Sequence, residues 1–156
     1  MHDFESPEWC QKRYSLLVGW VGDPQAVQFI LDLGDAAELW DDLEDQDKPI
    51  DKAQVSRVFT NLLVELPLNP FFERYKMQLI PLMVAGINAW QDATMLEKGS
   101  DNDRAMAYVL RDWYVELTAF VVYLVRGREA MRACSMDIRR FFSAHETLHQ
   151  YMENLK

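Results

Sequence analysis

Apolar residues recur along the chain at intervals of three and four, and each such segment opens with a residue suited to cap a helix. Ser6-Pro7 opens a segment to about Trp20, and Asp23-Pro24 a second to about Asp45, ahead of the polar stretch Asp47-Lys48-Pro49. Asp51 with Gln54 makes a capping-box pattern before Val55, Val58, Phe59, Leu62 and Leu66, one apolar face that stops at Pro67. Asn69-Pro70 starts a fourth helix ending near Lys98-Gly99. A kink is expected at Pro81, because an interior proline loses a hydrogen bond and clashes with the preceding turn. Asp101 or Asn102 caps a fifth, running at least to Arg126, where Gly127 ends or loosens it before a segment through Cys134. Ser135, and Ser143 with Glu146 as a capping box, mark two short C-terminal helices or one bent one. No alternating strand pattern occurs. The prediction is an all-α single domain spanning residues 1–156, a bundle of six or seven helices.

Composition narrows the function classes. The 156 residues are 49% hydrophobic, enough for a sizeable core, and 25 acidic against 16 basic side chains leave a charge of −9. That charge argues against direct nucleic-acid binding and against an anionic membrane surface. Cys10 and Cys134 lie far apart with no CxxC spacing, so neither a disulfide framework nor a zinc knuckle is expected, and a reducing, cytoplasmic location is. Met1 to Glu8 holds no apolar run, and Ala119 to Val125 is too short to cross a bilayer, so no secretion or membrane partner is expected. Exposed Trp or Met side chains would suit a homodimer interface, although nothing in the pattern separates them from core.

The charge is unevenly placed. Residues 21 to 51 hold ten acids and one lysine, whereas residues 104 to 140 hold seven arginines and four acids. On a helix, Phe29, Leu33, Ala36, Trp40 and Leu43 share one face, and Asp35, Glu38, Asp42 and Asp45 line another. Like charges at this spacing destabilise a helix by roughly 0.2–0.5 kcal/mol per pair, and no base interleaves to offset it. The compensation is a divalent metal, an arginine cluster or water. Val27 and Leu31 fall on the acidic stripe one turn earlier, which points to partial burial.

The fifth helix is apolar around most of its circumference, through Met106, Val109, Leu110, Trp113, Leu117, Phe120, Val121 and Leu124, and is therefore expected at the centre. Arg104, Tyr108, Arg111, Asp112 and Glu116 form its polar stripe, and Asn88 with Asp92 forms a polar pair on the fourth helix. Such groups are read either as satisfied structural pairs or as a site. As a site, oxygen ligands from Asp35, Glu38, Asp41, Asp42, Asp45, Asn88 and Asp92 suit Mg²⁺ or Mn²⁺. Arg104, Tyr108 and Arg111 would hold phosphates, with Glu38, Asp112 and Glu116 as catalytic carboxylates. This describes a metal-dependent hydrolase or transferase acting on a small diphosphate-bearing molecule.

Asp41-Asp42-Leu43-Glu44-Asp45 resembles the DDxxD motif of isoprenoid synthases, which are all-α and grip diphosphate through Mg²⁺. The resemblance covers five residues and implies Mg²⁺ ligation by Asp41, Asp42 and Asp45. A looser similarity, of class only, is to all-α nucleotide pyrophosphohydrolases, which hold Mg²⁺ between acidic helix pairs.

His145-Glu146-Thr147-Leu148-His149 matches HExxH, the zinc metallopeptidase pattern of two histidines one helical turn apart with a glutamate as general base. The alternative cofactor is therefore Zn²⁺, on His145, Glu146 and His149, although Ser143 accounts for Glu146 as a cap. In general texture, including Val109-Leu110-Arg111-Asp112-Trp113-Tyr114, the chain resembles small helical proteins of tailed bacteriophages. That similarity implies life in an infected host cytoplasm, and an interaction protein whose acidic surface meets a basic protein partner.

Overall fold

The computed structural model describes residues 6–46, 49–144 and 146–155. The fold is all-α, as the cap pattern predicts, and no strand occurs among the described residues. Helix α1 (Pro7–Val21) starts where the Ser6 hydroxyl accepts the Trp9 N–H at 3.2 Å, and it stops at Gly22, whose φ of 76° is left-handed. Helix α2 (Pro24–Asp45) is capped by Asp23, which accepts the Ala26 N–H at 2.8 Å. Asp51 caps α3 (Lys52–Thr60).

The predicted continuous face of the third helix is interrupted. A π-helical turn, Asn61–Glu65, separates α3 from the short α4 (Leu66–Leu68). A π turn carries more residues per turn than the α-helix and rotates whatever follows. Val58 and Leu66 are buried while Phe59, Leu63 and Leu68 face solvent.

Helix α5 (Pro70–Leu96) has Asn69 accepting two backbone N–H groups, from Phe71 and Phe72, and contains Pro81. Helix α6 (Asp101–Leu110) is capped by Ser100 in a reciprocal box with Asp103, one or two residues earlier than the expected Asp101 or Asn102. It is short. The chain leaves helical pairing at Arg111 and Asp112, and α7 (Trp113–Phe142) begins anew. The expected continuous fifth helix is thus two elements, and its supposed apolar face divides: Met106 and Val109 are exposed on α6, whereas Leu117 and Val121 are fully buried on α7.

Gly127 lies within α7 at φ 85° and ψ 178°, a non-helical conformation. Its consequence is a reversal. Glu116 and Arg139, 23 residues apart, form a two-pronged ion pair; a straight helix would hold them about 34 Å apart. The Asp112 carboxylate accepts the Ser143 hydroxyl at 2.6 Å, and the Tyr114 and Phe142 rings meet edge-on at 5.3 Å. All three contacts centre on Gly127, so the arms 113–126 and 128–142 form a helical hairpin. Ser135 is buried within the second arm, where it caps nothing, and Ser143 closes that arm. The start of α8 (Leu148–Asn154) is capped by Thr147 with Gln150, in place of the expected Ser143 and Glu146.

The main core gathers Leu17 and Val21 of α1, Phe29 and Ile30 of α2, Leu79 of α5, and Leu117, Val121, Val122 and Ile138 of the α7 hairpin, all with no exposure. Full burial of each is worth roughly 1.5–3 kcal/mol. A smaller cluster around Ala93, Ala107 and Tyr151 docks α8 on α5 and α6. The junction of α6 and α7 lies between these two clusters. There the site is built.

Candidate functional site

A cleft of about 330 Å³ opens where the C-terminal half of α2 faces the α6–α7 junction. Glu38, Asp41 and Asp42 of α2 line one side, Arg111 and Asp112 come from the junction, and Trp9, Trp90, Trp113, Tyr114 and Phe142 supply aromatic walls. It adjoins a narrow slot between Trp40, Trp90 and Trp113, where the Trp40 and Trp90 rings lie 5.2 Å apart. This explains a departure from the expected core face of α2. Phe29 and Leu33 are buried, but Trp40 and Leu43 are exposed, because this half of the helix borders the cleft while Leu39 alone remains in the interior.

Two glycines let the walls close. A Cβ at Gly34 would lie 2.8 Å from the Tyr114 hydroxyl, which donates to the Ile30 carbonyl at 2.5 Å. A Cβ at Gly86 of α5 would collide with the Trp113 ring.

Two arginines meet acids of α2, one of them, Asp35, on the acidic stripe. Arg13 donates to Asp35 at 3.3 Å, lies over the Trp9 ring at 4.9 Å and keeps its Nε buried without a partner. Arg111 lies 3.6 Å from Asp41 and 3.4 Å from Glu97, with its guanidinium over the Tyr151 ring. Burial pushes the Asp41 carboxyl above its ordinary value, and the attraction of Arg111 and a hydrogen bond from Trp90 offset this only in part. For Arg111, burial disfavours the charge, but the carboxylates of Asp41 and Glu97 outweigh it and hold the guanidinium more firmly protonated.

The site residues expected from sequence therefore separate. Glu38, Asp41, Asp42, Arg111 and Asp112 converge on the cleft. Asp35 points instead to a neighbouring hollow shared with Arg13, Asp51 and Arg57. Asn88 and Asp92 do not point inward: both are exposed, the Asn88 amide donating to Asp92 at 2.9 Å. Glu116 is turned to Arg139 and exposed. Arg104 and Tyr108 brace other elements, donating to the backbone carbonyls of Glu97 at 3.1 Å and Glu146 at 2.7 Å. The break at Arg111–Asp112 is the physical reason: it rotates the two halves of the expected stripe apart. The Asp45 side chain and His145 lie outside the described residues.

The HExxH geometry is not formed by the rest of its motif. Glu146 precedes α8, its carboxylate accepting the Asn154 amide at 2.7 Å, while His149 is exposed beside Glu153. Among the described residues no three His, Cys, Asp or Glu side chains are grouped so as to hold a metal ion.

Sequence reasoning missed Arg13 and the tryptophan walls. Four of the five tryptophans, at 9, 40, 90 and 113, border this region, and their spread over four helices hides them from any local pattern. No protein-family model, curated protein or solved structure matches the chain. Function must then be argued from the site itself.

Proposed function

We propose that this is an interaction protein whose cleft receives a basic side chain of a protein partner. The observation that carries the reading is the cleft's composition: Glu38, Asp41, Asp42 and Asp112 against Arg13 and Arg111, each arginine shared with a carboxylate, Asp35 or Glu97, that does not line it. Its acids also crowd the C-terminal half of α2, whose last turn holds no base. Carboxylates there oppose the helix dipole, which favours cations at that end by roughly 0.3–1 kcal/mol each. A cation entering the cleft relieves both the like-charge repulsion and this dipole opposition. Tryptophan faces attract cations as well, most strongly where water is excluded. The sequence spacing of Cys10 and Cys134 agrees with a reducing location such as a cytoplasm, the host's if the chain is phage-encoded. No helix among the described residues is long and apolar enough to cross a membrane.

Titration with a short arginine- and lysine-rich peptide tests this, read by the fluorescence of the cleft tryptophans. A saturable change is expected at low salt, weakened about tenfold by Asp42→Lys and by added salt. Absence of any saturable change at low salt overturns the reading.

A second reading, a protein acting on a phosphorylated small molecule with Mg²⁺ or Mn²⁺, is favoured by one observation: Arg111 borders the same cleft as Glu38, Asp42 and Asp112. Mg²⁺ is commonly held by one or two carboxylates together with substrate phosphates, so a full protein cage is not required. A thermal-shift series with Mg²⁺ or Mn²⁺, with and without pyrophosphate, tests it. Ligand at a hundredfold its Kd adds about 2.7 kcal/mol of stability, and an unchanged melting temperature rejects this reading.

A further inference from the structure

The second arm of α7 reverses the sign of the chain's charge. Residues 128–142 carry Arg128, Arg132, Arg139 and Arg140 against Glu129 and Asp137, in a protein of net charge −9. All six side chains are exposed. Between the two arms, and bordered by α5, runs a groove of about 270 Å³. Its floor is apolar, with Leu82, Phe120 and Met131, each half-buried against the main core. Its rim carries two guanidinium groups, Arg132 and Arg139, against one carboxylate, Glu116. Arg139 is fixed there by its two-pronged bond to Glu116, whereas Arg132 makes no ion pair with any described residue.

We propose that this groove docks an acidic amphipathic helix of a partner protein. An apolar floor between guanidinium groups matches a helix with apolar residues on one face and carboxylates on its flanks. Nucleic acid fits less well, since it would leave the apolar floor uncovered and approach a chain of net negative charge. The acidic helix of a second copy cannot enter as a whole, because the first half of α2 is built into its own core through Phe29, Ile30 and Leu33. The groove is separate from the acidic cleft and shares none of its lining residues.

The experiment is fluorescence anisotropy with a labelled synthetic peptide carrying leucine and phenylalanine at helical spacing on one face and glutamate elsewhere. Binding is expected, weakened about tenfold by Arg132→Glu and by added salt. Arg132 is exposed, so the thermal melt of that variant should match the parent and separate lost binding from lost folding. Met131→Glu, which places a carboxylate on the floor, should weaken binding likewise while its helical circular dichroism is retained. Failure of the peptide to bind, or binding indifferent to Arg132→Glu, overturns the proposal. So does equal binding of a scrambled peptide of the same composition, or of a single-stranded DNA oligonucleotide, since either reveals a generic anion patch. Sedimentation showing that the protein pairs with itself through Arg132 overturns it in favour of a second copy.

Discussion

Arg111 reaches Asp41 at 3.6 Å across the cleft while its other terminal nitrogen lies 3.4 Å from Glu97. Both distances exceed the 2.7–2.9 Å usual for a charge-assisted hydrogen bond, so the guanidinium is shared between its two carboxylates. Glu97 also accepts the Tyr151 hydroxyl at 2.6 Å, and Tyr151 is the centre of the smaller core cluster. A single arginine thus joins the acidic cleft to the docking of α8.

Removing that arginine should cost more than a surface ion pair. Arg111→Leu leaves Asp41 and Glu97 half-buried without their counter-charge, for an expected loss of about 1–3 kcal/mol in urea unfolding. Arg111→Lys retains the charge without the planar fork or the stacking on Tyr151, and should recover only part of it. Tyr151→Phe, which deletes the bond to Glu97, should cost about 1–2 kcal/mol. The double variant should lose less than the sum, because both changes act through Glu97. Strict additivity would contradict the shared network.

Asp32 gives a prediction in pH. Its side chain is buried, and one carboxylate oxygen accepts both the Gln28 amide at 2.9 Å and the Asn61 amide at 3.2 Å. Burial pushes the carboxyl above its ordinary value, with the Gln28 bond opposing and the charges of Asp35 and Glu65 adding. The folded state therefore holds this proton more tightly than the unfolded chain. The group's contribution to stability is fully present below the unfolded chain's carboxyl pKa and is lost as pH rises through the raised folded value. Asp32→Asn keeps an acceptor for both amides and cannot ionise. Its urea midpoint should exceed the parent's at neutral pH, with the difference closing toward the ordinary carboxylate pKa of about 3.9. A difference that widens on acidification would reject this account.

Local punctuation was legible in the sequence and long-range geometry was not. Ser6, Asp23, Asp51 and Asn69 cap helices as their types predict, because a cap satisfies backbone donors two or three residues away. The stop at Arg111–Asp112 carries no proline or glycine. It is imposed by what the two residues meet, Asp41 and Glu97 for one and Ser143 for the other. Gly127 was visible as a weak point, but its reversal becomes apparent only from the partners it brings together, such as Glu116 and Arg139. The cleft acids were found because four of them lie within one acidic run or beside Arg111. Asn88 and Asp92 share the same residue chemistry, yet α5 turns them to solvent, and helical periodicity alone does not choose which face a mixed helix buries.

The Trp113 wall of the cleft depends on Gly86. Replacing a mid-helix glycine by alanine ordinarily gains about 1 kcal/mol. At Gly86 the new methyl enters the Trp113 ring, a rigid group that adjoins the main core, and overpacking of this kind costs about 1–3 kcal/mol. Gly86→Ala should therefore be net destabilising, and should alter the near-ultraviolet circular dichroism of the displaced tryptophan. A stabilised variant with an unchanged tryptophan signal would mean that α5 and Trp113 do not approach this closely.

Gly127 and Gly19 form a matched pair for testing the hairpin. Neither would bring a Cβ within 4 Å of any side chain, so crowding is removed from the comparison. What differs is the backbone. Gly19 lies inside α1, where alanine should stabilise by roughly 0.5–1 kcal/mol. Gly127, at φ 85° and ψ 178°, occupies a region reserved almost wholly for glycine, where a side chain costs of order 1–3 kcal/mol. Opposite shifts in the urea midpoint are therefore expected from the same chemical change. Stabilisation by both would show that α7 continues straight through residue 127. In that case the ion pair of Glu116 with Arg139, and the groove between the arms, would be lost with the reversal.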